Sequence, residues 1–301
     1  MAKMLTPAME KLERTQSRKP RKTGPWYEAW YRLRRNRMAM IGLGIIVLLI
    51  IFALFPQYIA PYGEDEQNYS EAFIFPCSEH LMGTDNYGRD IFSRIIYGTR
   101  TSLLIGVMAV AMSVLVGGTC GLAAAYYSGK TDNIIMRIMD IFYALPNFLL
   151  AIAIASALGS GLFNLAIAIA ISQVPGYARV VRAAALTVRN QEYMEAIKAI
   201  GGSPLRQMLR HMLPNAIAPI IVQATLGMAS AILSGAALSF LGVGVQPPTA
   251  EWGYMLNSGR QYIRDYWYIV TFPGLMIMLT IFGLNLLGDG LRDAMDPKLK
   301  R

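Results

Sequence analysis

The chain has 301 residues, 54% of them hydrophobic and only 16% charged, with a mean hydropathy of +0.37. A soluble domain needs about 25% charge to keep its surface wet, and disorder requires low hydrophobicity with high charge, so both are excluded. The excess of 28 Lys+Arg over 19 Asp+Glu, +9 in all, leaves two classes open: a membrane protein with basic loops, or a protein that clamps nucleic acid.

Residues 1–37 form a basic segment with 11 Lys+Arg, and the first uncharged run, Met38–Gly63, follows directly. No small-residue cleavage site follows at Phe55-Pro56-Gln57, so this run reads as a retained signal-anchor. Four more uncharged runs come after it: Thr101–Gly129, Ile141–Ala178, His211–Ala250 and Tyr266–Gly288. A hydrocarbon core needs roughly 20 apolar helical residues, and every run is long enough. The run 141–178 is too long for one crossing and breaks at Gly159-Ser160-Gly161, whereas 211–250 breaks only near its end, at Gly242-Val243-Gly244 and Gln246-Pro247-Pro248. Six spans are therefore predicted, near 38–55, 102–127, 134–158, 162–178, 215–241 and 269–288.

Sorting charges by loop tests this count. One side, with residues 1–37, the short loop of Lys130 and Arg137, the loop 179–214 and the tail from 289, holds 23 of the 28 Lys+Arg; residues 56–100 and 242–268 hold five. Positive loops mark the cytoplasm, so both termini are expected there, and a nucleic-acid role loses its main support. Cys77 and Cys120 are not expected to pair. His80 and His211 fall on opposite sides and cannot share a metal.

The stretch Ala124–Thr131, with Gly129-Lys130-Thr131, fits a relaxed phosphate-loop pattern. A phosphate cradle needs a glycine-rich turn between a strand and a helix; here a membrane helix precedes it and two tyrosines occupy the loop, so it reads as a helix stop. No constellation of base, nucleophile or ligands shares one depth, so no catalytic residue and no metal site is assigned. Asp140, three residues after Arg137, reads as a local ion pair. With Asn147, Asn164, Gln173, Gln223 and Asn285 it also forms a set of candidates for a polar path, although amides equally bond neighbouring helices. Gly117, Gly118, Gly121, Gly227, Ser230, Ser234 and Gly235 provide small faces for close helix packing. Residues 89–99 alternate Ile91, Phe92, Ile95 and Ile96 with Asp90, Ser93, Arg94 and Tyr97, which suits a helix in the outer interface with Thr84 or Asp85 as its cap. Trp252, Tyr254, Tyr262, Tyr266, Trp267 and Tyr268 suit an aromatic belt.

The loop 179–214 is the most informative. Gln191–Ile200 reads as a short amphipathic helix, ended by Gly201-Gly202; Ser203-Pro204 opens a second helix with residues suited to N-cap and N1, carrying Arg206 and Arg210 and closing at Met212-Leu213-Pro214. Two capped helices around a double glycine, projecting from the membrane, suit docking to a cytoplasmic partner.

Glu195-Ala196-Ile197, Gly201, His211 and Leu213-Pro214 resemble the EAA loop of ABC-importer permeases, with Ile197 and His211 departing from the usual Ala and Ile. Four further segments resemble the C-type permease of dipeptide, oligopeptide and nickel importers. They are His80–Arg94 (with Gly83, Thr84, Asp85, Gly88, Arg89, Asp90 and Ser93), Asp140–Pro146, Leu238–Gly253 and Gly288–Pro297; the likeness runs from about residue 26 to 301. It implies an all-α membrane protein of six transmembrane helices with both termini cytoplasmic, the type I ABC-importer permease fold. The corresponding organisation is a cytoplasmic segment 1–37, a first helix 38–55, an extracytoplasmic loop 56–100 with its interfacial helix, a five-helix core 101–288 holding the coupling loop 179–214, and a tail 289–301. It also implies a non-catalytic role in the bacterial inner membrane as half of a path for peptides or related small solutes. The implied partners are a homologous B-type permease, two cytoplasmic ATPase subunits that carry the ATP and Mg, and an extracytoplasmic substrate-binding protein steered by the acidic outer loops. An ion-coupled secondary transporter is the alternative.

Overall fold

The computed structural model describes residues 24–295, so most of the basic segment 1–37 and the end of the tail lie outside the described residues. The regular elements are helices, apart from one isolated bridge between Thr84 and Asp90. The longer ones, in chain order, are α1 (Pro25–Arg35), α2 (Arg37–Leu54), α3 (Ile91–Tyr127), α4 (Gly129–Tyr143), α5 (Asn147–Leu158), α6 (Leu162–Arg189), α7 (Glu192–Ala199), α8 (Leu213–Phe240), α9 (Trp252–Gly259) and α10 (Tyr268–Met295). Four helices are long and apolar enough to cross a membrane: α2, α3, the run Pro204–Phe240 that contains α8, and α10. The pair α4–α5 makes a fifth if counted as one span. Helix α6 falls outside this set because Gln173, Arg179, Arg182 and Arg189 dilute its apolar residues.

Three expectations change. The interfacial helix at 89–99 is not separate, because nothing between Ile91 and Tyr127 interrupts the helical ladder and α3 runs unbroken for 37 residues. Its cap is Asp90, whose carboxylate accepts from Ser93 N at 2.7 Å, and neither Thr84 nor Asp85 fills that role. The predicted span 134–158 is two helices bent by 84°. Proline at 146 lacks an N–H and disfavours the helical basin for Leu145, so α4 ends and α5 starts afresh at Asn147. The second helix of the 179–214 loop does not close at Pro214. It passes through a wider π-helical segment, Gln207–Met212, and continues as α8; the wider turn gives the ring of Pro214 room beside the preceding carbonyls.

Small residues set the closest contacts. On α3, a Cβ at Gly117 would lie 2.6 Å from Val174 O of α6, and one at Gly121 would collide with Ala178 O. In lipid, helices gain little from apolar burial against one another, so such backbone approach supplies the van der Waals attraction that joins them. The α2–α10 contact works the same way, since a Cβ at Gly42 would lie 2.6 Å from Gly283 O.

Loops sort to the two ends of the bundle. At one end Glu64 Oε1 accepts from Ala250 N, and Phe73 stacks on Tyr266, so residues 56–90 and 242–268 sit together. Helix α6 starts at that end, where Gly161 N donates to Gly244 O at 3.3 Å. It finishes at the other end, where Arg189 donates to Ser128 Oγ. Helix α1 packs by Leu33 against Ala39 and Ala294, bringing the described ends of the chain together. The stretch Ala124–Thr131 is the junction of two helices with no strand before it, as the helix-stop reading expects.

Candidate functional site

Helix α7 places Glu192 and Glu195 in its first turn and Lys198 in its last, the charge order that a helix dipole favours. It ends in a paired cap: Gly202 N donates to Ile197 O at 3.0 Å and Gly201 N to Lys198 O at 3.1 Å. This Schellman arrangement needs a left-handed residue, and Gly201 supplies it with φ +79°. Gly202 is needed for a different reason, since a Cβ there would press on Ile197 Cγ2 at 2.7 Å. Ser203 sits in extended conformation at the N-cap with Pro204 at N1, but its hydroxyl caps nothing. The turn is held instead by Gln207, 3% exposed, whose Nε2 donates to Gly202 O at 2.6 Å.

The resulting tip is apolar and open: Ile200 is 85% exposed and Leu205 63%, beside exposed Glu195, Ala196, Ser203 and Arg206. Behind it, Met194 is buried in a cluster with Leu122 of α3, Val181, Ala185 and Val188 of α6, Met212 of the π-helical segment, and Ala216 and Ile220 of α8. Leu213 packs on that cluster, and Pro214 is exposed at the start of α8. Met194 thus roots the exposed tip in a cluster that three long helices share. Neither Met194 nor Gln207 stands out by sequence, because one looks like any apolar residue and the other like any surface amide.

Two ion pairs join α6 to α4 beside this lever. Arg182 meets Asp132 through both nitrogens, Nε at 2.5 Å and Nη2 at 2.6 Å. Arg179 Nη2 meets Asp140 Oδ1 at 2.7 Å and its guanidinium lies 4.1 Å from the centre of the Tyr143 ring. The local pairing of Asp140 with Arg137 is therefore replaced by a bridge to another helix.

The outer motif is a buried knot. Gly83 and Gly88 take φ of +78° and +71°, and a Cβ at Gly83 would meet Ile74 O and the Tyr268 ring, both at 2.6 Å. Arg89 bonds Asp85 through Nε at 2.8 Å and Asp65 through Nη1 at 3.0 Å, and Arg94 Nη1 donates to Glu64 O at 2.9 Å. Thr84 Oγ1 donates to Glu71 O and accepts from Ile74 N. Asp90 also takes His80 Nδ1 at 3.0 Å, with Tyr62 stacked on the imidazole, while Ser93 Oγ accepts from Tyr62 N at 3.1 Å. Burial pushes the Asp65 carboxyl up, but hydrogen bonds from Arg89 and Gln67 and the charges of Arg89 and Arg94 outweigh it and hold it below the usual range. Glu251, 1% exposed, caps α9 by accepting from Gly253 N at 3.0 Å and Tyr254 N at 2.8 Å. The motif residues brace the outer loops and present little surface to a partner. Above the knot lies a polar cleft of about 210 Å³ between Tyr87, Tyr254, Asn257 and Arg260.

The path candidates do not assemble. Asp140 is taken by Arg179, Asn147 is exposed at the start of α5, and Gln173 leaves its Oε1 buried without a partner. Gln223 accepts from Tyr177 through its backbone carbonyl, and Asn285 edges an apolar hollow beside Leu233 and Met278. Asn164 donates to Leu158 O at 2.9 Å, and among the described residues no hydrogen bond joins any two of the six.

Residues 117–301 match the binding-protein-dependent transport system inner membrane component family, and residues 24–76 match the N-terminal TM domain of oligopeptide transport permease C. The chain belongs to this permease family. The permease is 49% identical, over 92% of its length and 91% of the relative's, to a dipeptide transport system permease protein of Alkalihalophilus pseudofirmus. It is 48% identical to a di/tripeptide transport system permease protein of Pseudomonas aeruginosa, over 92% of this chain and 93% of that one. A glutathione transport system permease protein of Escherichia coli is 46% identical over 92% of this chain and 91% of its own. Among solved structures, an inward-facing MetNI methionine ABC transporter chain aligns with TM-score 0.54 and 17% identity, over 67% of this chain and 96% of that chain; the likeness concerns the fold. The permease is thus an inner membrane component of a binding-protein-dependent transport system, and the ion-coupled alternative is not favoured.

Proposed function

We propose that this permease carries di- or oligopeptides, or a related small solute, through a path it shares with a homologous B-type subunit, while one of two ATPase subunits docks on its cytoplasmic loop. The observation that carries the reading is the tip at Ile200–Leu205, apolar and exposed yet rooted by Met194 in a cluster shared by three long helices. A free cytoplasmic loop gains nothing from such a tip, whereas a lever needs an apolar end for a cleft and a rigid root. The substrate class rests on relatives that carry dipeptides, di/tripeptides and glutathione.

The proposed topology has six crossings with both termini in the cytoplasm of a bacterial inner-membrane protein. It is supported by α6 reaching from one end of the bundle to the other and by the loops poor in Lys and Arg gathering at one end. The exposed face of α4–α5, with Ile138, Ile141, Phe142, Leu145 and Leu149, suits the second permease. In the mechanism, closure of the ATPase pair moves the tip, α7 and Met194 pass the movement to α6 and α8, and the Arg182 and Arg179 bridges carry it to the bent pair. The chain performs no chemistry and needs no cofactor of its own; ATP and Mg belong to the partners. The acidic outer loop, with seven Asp+Glu against three Lys+Arg over residues 56–100, suits steering of the substrate-binding protein. Detergent extraction with affinity capture of this chain should bring down two ATPase subunits and a second permease, and proteoliposomes of that complex should take up labelled dipeptide only with ATP and the binding protein. Uptake by the solitary chain would sink the reading.

A further inference from the structure

Helix α1 leaves one face uncovered, and its residues form two parallel ridges. Trp26, Trp30 and Arg34 lie at i, i+4 and i+8, as do Tyr27, Tyr31 and Arg35 one position on, so each ridge is two aromatic rings followed by an arginine. Each arginine folds back over the ring before it, Arg34 at 6.0 Å from Trp30 and Arg35 at 5.5 Å from Tyr31. The four rings are 46–60% exposed, while Leu33, on the flank beside the tryptophan ridge, docks against Ala39 and Ala294. Only Asn36 separates α1 from α2, whose side chain caps α2 through Ala39 N at 3.2 Å. The apolar residues of α2 begin at Met38, so the C-terminal end of α1 sits within a turn of the point where the chain enters hydrocarbon, at headgroup depth. Tryptophan and tyrosine prefer that depth, and arginines there attract anionic lipid.

We propose that α1 binds anionic phospholipid headgroups, with the rings seated at the glycerol level and Arg34 and Arg35 on the phosphates. Arg32 and Arg37 add charge against the single carboxylate of Glu28, and residues 1–23 contribute seven further Lys+Arg to two Glu. This complementarity favours an anionic bilayer over a partner protein. The inference depends on membrane insertion and not on the substrate or the ATPase contacts.

The test uses the whole complex in phosphatidylcholine nanodiscs doped with brominated phosphatidylglycerol or, in parallel, brominated phosphatidylcholine at the same mole fraction. Subtracting a Trp26→Phe/Trp30→Phe complex isolates quenching at α1. Quenching by the glycerol lipid should exceed that by the choline lipid severalfold, since each surface arginine enriches anionic lipid about five-fold. Arg34→Gln/Arg35→Gln should remove most of that excess yet keep the quenching, and Arg34→Lys/Arg35→Lys should retain it. Equal quenching by the two lipids would overturn the proposal, as would an excess that survives the glutamine pair. No quenching by either lipid would mean that a protein partner covers the face, which also overturns it.

Discussion

Gly201 holds a sharp requirement in the loop 179–214, because the left-handed cap at φ +79° costs a residue with a Cβ about 1 kcal/mol. Gly201→Ala should raise amide hydrogen exchange across 192–206 by about five-fold in the intact complex, the rate equivalent of that cost. Gly202→Ala should do at least as much through the clash with Ile197, while Ser203→Ala should change nothing, since that hydroxyl caps no amide. Asp65 makes the pH dependence of the outer knot predictable in sign. Its folded pKa lies below the ordinary aspartate value, so its stabilisation is complete above that ordinary value and is lost as pH falls through the depressed one. Acidification through this window should speed exchange at residues 64–66 and 85–89, and Asp65→Asn should remove that component. Asp140 shows where reading at this scale stops. The sequence displays its i,i+3 neighbour Arg137, but its partner, Arg179, is 39 positions along the chain and comes near only when α6 lies against α4.

Among the elements, the α4–α6 strap is the link most open to test. Arg182 and Asp132 form a two-point pair, partly shielded from solvent, and a pair of this kind contributes about 1 kcal/mol. Asp132→Ala should therefore lower thermal stability of the purified complex only slightly while cutting the stimulation of ATP hydrolysis by the binding protein. The exchange Asp132→Arg with Arg182→Asp should recover more of that stimulation than either single change allows; recovery no better than the singles would remove the strap from the transmission route. Helix existence was legible throughout, since uncharged runs and capping residues act locally. Continuity was not. Pro146 breaks a span and Pro214 does not, because a π-helical turn precedes the second and absorbs its ring. Likewise Ile91–Tyr97 alternates as an interfacial helix would, yet its polar side is turned into the knot of Asp85, Arg89 and Arg94, a burial that no local pattern announces.

For the molecule as a whole, the charge split by loops matches the sorting of those loops to two ends of one bundle. The +9 that first allowed nucleic acid instead distinguishes the end bearing the lever from the end bearing the knot. The outer motif and the coupling loop were both visible as motifs, but only packing separates their roles: the first is buried and braces, the second is exposed and reaches out. The predicted path residues fared differently, since none bonds another in this chain and a path shared between two subunits need not be closed by one. The central claim is that the Gly201 turn converts ATPase movement into movement of these helices. It is tested most directly by Gly201→Asp in the reconstituted complex, reading peptide uptake and binding-protein-stimulated ATP hydrolysis together with membrane insertion. The chain should insert and assemble while uptake and stimulation are both lost; normal uptake with normal stimulation would rule out this role for the turn.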